Sequence, residues 1–218
     1  MVKLRTRMEA VPTLLFTPYA WSKLFFFNDT ATTEIAGFGV ATSDDPLCIE
    51  DVLTVRQRCT SVTVAMDDQA VADFFDEQVD RGLKPEQFAR LWLHTHPGAS
   101  AQPSGTDEET FQRVFGGCDW AVMAILARGG QTYARLRFGV GPGAQLLIPV
   151  EVDFNVPFPA ADHDAWRAEY GRHVTAEPDI VLRHLREDAL ALNAFHEQHN
   201  PHGLEEDTWN FHDLRDLE

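Results

Sequence analysis

Basic residues are scarce in this chain. Lysine and arginine total 18 against 34 aspartates and glutamates, a net charge of -16 over 218 residues. A nucleic-acid surface needs a basic stripe and an anionic membrane needs a basic patch, so neither partner is expected. Cysteine is scarce too, with only Cys48, Cys59 and Cys118. Three thiols in a chain this long make no disulfide framework, and none forms a C-x-x-C pair, so a thiolate zinc site is not expected. They suit a reducing cytosol, buried as small apolar groups, and a cytoplasmic location is the expectation. Long apolar runs are missing as well. The greasy segment from Val11 to Phe27 is interrupted by Pro12, Pro18 and Lys23, and its flanks do not read as a secretory signal. What remains is 44% apolar content, enough for one sizeable core with a small appended module.

The pattern alternates between strand and helix periods. Glu34 to Ala41, EIAGFGVA, reads as a strand whose glycines let backbones approach closely. Leu47–Val55 and Ser61–Ala65 alternate as strands. Asp67 or Asp68 caps a helix from Gln69 to Val79, ended by Gly82. Phe88 to His96 leads into another strand. Ser104 caps a helix that reaches Phe115, with Asp107 in or before its first turn. Trp120–Ala127 and Thr132–Phe138 read as strands joined by a Gly129-Gly130 turn, and Leu146–Val152 as a further strand. After Asp153 the character changes. Pro157, Pro159 and the acidic Ala160–Asp164 stretch read as a linker or arm, and Ile180–His196 as an amphipathic helix. The expected fold class is α+β, a layered fold with a central mixed sheet flanked by helices.

One stretch carries the chemistry. His94-Thr95-His96-Pro97 is followed by Ser104 and Asp107, a pattern of H-x-H-P-x6-S-x-x-D. Residues two apart on a strand share a face, so both imidazoles reach one point in space. Asp107 adds a carboxylate from a different element. Two neutral imidazoles and one carboxylate leave a fourth tetrahedral position open, the donor set of a catalytic zinc. His196, His199 and His202 hint at a second cluster, but Pro201 breaks their helical register, and a solvated surface is expected there. Cys118 has no evident activating base and is read as structural.

These residues resemble the JAMM, or MPN+ (JAB), metalloprotease family over roughly Phe25 to Val150. The histidine pair, the proline, the serine and the aspartate stand at family spacing. A glutamate upstream leads into a glycine-containing strand, Glu34-Ile35-Ala36-Gly37-Phe38-Gly39. The resemblance implies an MPN/JAB-like, cytidine-deaminase-like fold and a zinc-dependent isopeptidase that cuts after the C-terminal tail of a ubiquitin-like modifier. It implies Zn2+ on His94, His96 and Asp107, Glu34 as general base and acid, and Ser104 as a donor to the zinc water or the oxyanion. Zinc lowers the pKa of its water to about 7, which suits attack on an unreactive amide. The catalytic domain is expected over 28–153, with 1–27 an N-terminal segment that is partly artefactual on this reading and 154–218 a C-terminal extension with the helix over 180–196. The chain looks like the compact bacterial members that accompany ubiquitin-like conjugation genes, antiphage systems among them. Two other readings use the same residues: a peptidase trimming a ubiquitin-like or sulfur-carrier precursor, and a non-catalytic scaffold that binds the modifier. A zinc nucleoside deaminase would want H-x-E and C-x-x-C, and neither is here.

One stretch departs from the family pattern. Leu24 to Ile35, LFFFNDTATTEI, resembles the translation of a widely used sequencing adaptor, the octapeptide from Asn28 most of all. The expectation is a gene joined through contaminating DNA, with residues before about Ala36 foreign to the domain. Glu34 falls inside this stretch, in frame before the glycine strand. Reading the locus from fresh, amplification-free DNA checks the point, and an unchanged sequence refutes it.

Overall fold

Strand alternation decides where the histidines point. The computed structural model describes residues 11–156 and 162–177. They lie within one compact unit, Met1–Glu177. In chain order the elements are β1 (Leu14–Phe16), α1 (Pro18–Thr30), β2 (Ile35–Ala41), β3 (Cys48–Leu53), β4 (Gln57–Cys59) and β5 (Val64–Met66). Then come α2 (Asp68–Asp80), α3 (Pro85–Phe88), β6 (Leu91–His96), α4 (Gly105–Phe115), β7 (Trp120–Ala127) and β8 (Thr132–Phe138). The last are β9 (Ala144–Leu147), β10 (Val150–Val152), α5 (His163–His173) and β11 (Val174–Ala176). The expected helix over Ile180–His196 and the late histidines lie outside the described residues.

The class is α+β, as expected: a curled mixed sheet flanked by helices. Eight strands run in the order β10-β1-β3-β2-β6-β7-β8-β9, and three more form a small sheet, β11-β4-β5. The expected strand over Leu146–Val152 is two strands, broken at Ile148-Pro149. Proline offers no N–H to a ladder, and the chain turns there. β9 and β10 end up at opposite ends of the sheet order although two residues separate them. Ile148 N–H donates to Ala134 O (3.0 Å), and Leu14 N–H to Pro149 O (2.9 Å). This corner draws the two ends of the sheet towards each other and gives it its curl.

β6 lies centrally, antiparallel to β2 and parallel to β7. Its alternation is clean. Leu91 and Leu93 face one core with Leu14, Phe16, Leu24, Val122 and Leu126, beneath α1. Trp92 faces the other with Phe38, Phe88, Phe111, Phe115 and Met123, beneath α2 and α4. His94 and His96 continue the Trp92 face. The Cβ of any other residue at Gly37 would meet Leu53 O at 2.7 Å, so glycine there permits the close approach of β2 and β3.

The segment before β2 and the segment after β10 pack on the body. α1 starts on Thr17, whose hydroxyl accepts from Ala20 N–H (3.2 Å), with Pro18 at the first helical position. α5 begins within the stretch read as a linker. Its Trp166 is buried against Phe27, Ala31 and Ile35. An ion triad around a buried lysine ties these pieces together. Lys23, only 3% exposed, bonds Asp51 (3.0 Å) and Glu169 (2.9 Å). Glu169 also accepts from the Thr54 amide and hydroxyl, and Thr54 Oγ1 meets His173 Nδ1 at 2.9 Å. Burial pushes the lysine pKa down, and the two carboxylates more than reverse it, so the ammonium persists above the ordinary lysine value. Its stabilising charge is present through neutral pH and is lost as alkali passes that raised value. Lys23→Met leaves two carboxylates facing each other and is expected to destabilise the fold by about 3 kcal/mol, readable in a urea melt.

Among the described residues no helix is long and apolar enough to cross a membrane.

Candidate metal centre

His94, His96 and Asp107 converge. Their ligand atoms all lie within 4.8 Å of one another. His94 Nε2 stands 3.3 Å from Asp107 Oδ1, and His96 Nε2 stands 3.6 Å from Asp107 Oδ2. The histidines come from the end of β6, as strand spacing predicts. Asp107 comes from the first turn of α4, as its place after Ser104 predicts. Glu34, on the approach to β2, reaches the same point, with Oε1 3.7 Å from His96 Nε2. The pairing of β2 with β6 explains this, because Ala36 lies opposite His94 and Ile35 opposite Thr95. Four of the five expected site residues thus surround one small volume.

The fifth, Ser104, sits one step back. Its hydroxyl donates to Asp107 Oδ2 (2.8 Å) and accepts from Asp107 N–H (3.2 Å), while its own N–H donates to the same Oδ2 (2.6 Å). This is a capping box in which aspartate takes the third helical position. The box fixes the carboxylate and opens α4 with a negative charge at the positive end of its dipole. α4 itself is pinned to β8 by a bidentate pair. Arg135 donates to both Glu108 oxygens at 2.8 and 2.7 Å, and its guanidinium lies over the Phe111 ring.

The protonation pattern follows from burial and company. His94 is 1% exposed, and burial holds its pKa down despite Asp107, so it stays neutral. The Asp107 carboxylate raises His96 against the effect of burial, helped by Ser100 O and Glu34. Burial opposes ionisation of Asp107, but the two histidines and the Ser104 amide hold its carboxyl well below the usual range. Burial pushes Glu34 up to about 7, with His96 pulling it back and Asp107 adding to the rise.

These residues fit a metal on a structural criterion. Buried ring nitrogens are normally hydrogen-bonded. Here His94 Nδ1, His94 Nε2 and His96 Nε2 are buried with no hydrogen-bond partner. The other nitrogen of His96 is held, Nδ1 lying 2.9 Å from Ser100 O. A proton on Nδ1 satisfies that carbonyl and leaves the Nε2 lone pair facing Asp107, the outer-shell arrangement of a ligating histidine. His94 is braced instead by Trp92, stacked at 4.5 Å between ring centroids. An ion at this point would take three protein ligands. The donor set is compatible with zinc and does not by itself specify it.

Sequence reasoning missed Ser100 and Arg135. A backbone carbonyl has no residue signature. The Arg135–Glu108 pair spans two elements whose packing no local pattern encodes.

The chain matches no family model, and no curated protein matches it.

Proposed function

We propose that the chain is a zinc-dependent isopeptidase of the JAMM (MPN+) type, with an MPN/JAB-like fold, that hydrolyses the bond after the C-terminus of a ubiquitin-like modifier. The observation that carries this reading is the meeting of two unpaired imidazole nitrogens, a capped aspartate and a buried glutamate at one point. His94, His96 and Asp107 would hold a zinc ion there, which would supply Lewis acidity and a water that ionises near neutral pH. Glu34 takes the proton of the attacking water and delivers it to the departing amine, and a pKa near neutrality suits both halves of that task. Ser104 orients Asp107. Its second task, as donor to the developing oxyanion, requires the hydroxyl to turn from Asp107 Oδ2.

The surroundings suit an extended tail. A cavity of about 310 Å³ is lined by Phe38, Val64, Met66, Val71, Trp92 and Phe115 among others, and reaches Ala36, which faces His94 across the ladder. β5 is an edge of the small sheet and forms one wall. A Gly-rich terminus lying beside that edge would be held by main-chain bonds, with apolar side chains entering the cavity.

The test is direct. Zinc-loaded protein is incubated with a lysine-linked conjugate and with a linear precursor of a ubiquitin-like protein. Release of the modifier from its lysine, abolished by chelation, is the expected result. Cleavage of the linear precursor alone assigns the narrower processing activity. Zinc binding without cleavage of a cognate modifier in either form assigns a scaffold.

A further inference from the structure

β2 changes partner on the way to Glu34. Its ladder with β3 runs from Ala41 back to Phe38 and stops at Leu53. β3 then turns away, and the backbone of Ala36 would be left open on that side. Its N–H and C=O are taken instead by a side chain. Gln57 Oε1 accepts from Ala36 N–H (2.9 Å), and Gln57 Nε2 donates to Ala36 O (2.8 Å). Two residues on, the N–H of Glu34 donates to Thr60 O (2.8 Å). The β4 segment therefore grips the backbone at Glu34 and at Ala36, on either side of Ile35.

The amide of Gln57 is fully used. Its second N–H donates to Val55 O (2.9 Å), and the Cys59 thiol donates to its oxygen (3.3 Å). The residue is 1% exposed, where an amide is stable only if all its polar atoms are paired. β4 is itself held on both flanks, by β5 and by β11, whose Val174 lies opposite Gln57.

We infer that Gln57 is the positioning residue for Glu34, its amide acting as the rung that β3 no longer supplies. The inference rests on the reading of Glu34 as general base. The side chain touches no ligand and no reacting atom. It acts by fixing the backbone whose carboxylate stands 3.7 Å from His96. A displacement of about 1 Å there is enough to cost on the order of 10²-fold in rate.

A double-mutant cycle on the zinc-loaded full chain tests this, with a lysine-linked ubiquitin-like conjugate as probe. Gln57→Leu keeps the bulk and removes the rung. The expected result is a fall in kcat on the order of 10²-fold, with KM and zinc stoichiometry unchanged and faster hydrogen exchange at the Ala36 amide. On a Glu34→Gln background the same substitution should cost nothing further, which a merely structural residue would not show. Gln57→Asn, whose amide stops one methylene short of Ala36, serves if the leucine variant does not fold, and the same selective loss of kcat is expected. Full kcat in Gln57 variants with a loosened Ala36 amide, or losses that multiply on the Glu34→Gln background, overturn the inference. If Glu34→Gln alone leaves kcat intact, the base assignment itself falls, and the inference with it.

Discussion

Glu34→Gln is expected to keep the metal and lose turnover by roughly 10²–10⁴-fold, the usual contribution of a placed acid–base group. The amide is isosteric, so the backbone bond to Thr60 and the rung at Ala36 are untouched. The three expected ligands lie elsewhere, on β6 and α4. On the proposed mechanism, the substitution removes only the capacity to carry a proton between water and amine. Metal analysis and turnover measured on one preparation separate the two effects. An equal loss of zinc would move Glu34 into the ligand set, and unchanged turnover would remove it from the chemistry.

The adaptor-like stretch sharpens the same experiment. His94, His96 and Asp107 lie well downstream of it, so a corrected reading of residues 24–35 leaves the candidate ligands as they are. The position two residues before Ala36 is set by the register of β2 against β6. A native sequence that differs there is expected to carry a carboxylate at that position, because the proposed proton transfer requires one.

The candidate ligands were legible in the sequence because their geometry is local. Strand alternation alone aligns His94 with His96, and one helical turn separates Ser104 from Asp107. Glu34 was legible only through its likeness to a known family, since its contact with His96 crosses two strands. Gln57 could not be read at all. It sits in a three-residue strand with a turn at Thr60–Thr63, just before the Ser61–Ala65 segment that alternation marked as strand. Its value lies in reaching across to the backbone of another strand. The same holds for Lys23, which reads as a charge interrupting an apolar segment. In the fold it is the buried cation joining α1, β3 and α5. Local periodicity fixes the faces of elements, whereas single polar side chains that bridge elements leave no periodic trace.

His94→Ala is expected to abolish both metal binding and turnover, and its effect on stability divides into two parts. Without metal, the imidazole contributes packing against Trp92 and the 3.3 Å contact of its Nε2 with Asp107 Oδ1, but no well-formed hydrogen bond. The metal-free variant therefore suffers the cost of a cavity, of order 2–3 kcal/mol, together with the loss of the contact to Asp107. With metal, the wild-type fold gains about 4 kcal/mol at a free zinc concentration a thousandfold above its dissociation constant, and the variant gains none. Thermal melts with and without zinc read the difference directly: the wild-type midpoint rises with added metal and that of the variant stays put. Asp107→Asn separates the remaining possibilities. An amide oxygen still accepts from the Ser104 amide and hydroxyl, so the start of α4 survives. The charge that offsets the cation is gone, so zinc affinity is expected to fall, and the metal-free melt drops as well, because the ionised carboxylate beside the two histidines and the α4 N-terminus stabilises the fold at neutral pH. A zinc-induced rise that persists in His94→Ala would show that any ion sits elsewhere, and the site read from β6 and α4 would then not be the centre of the chemistry.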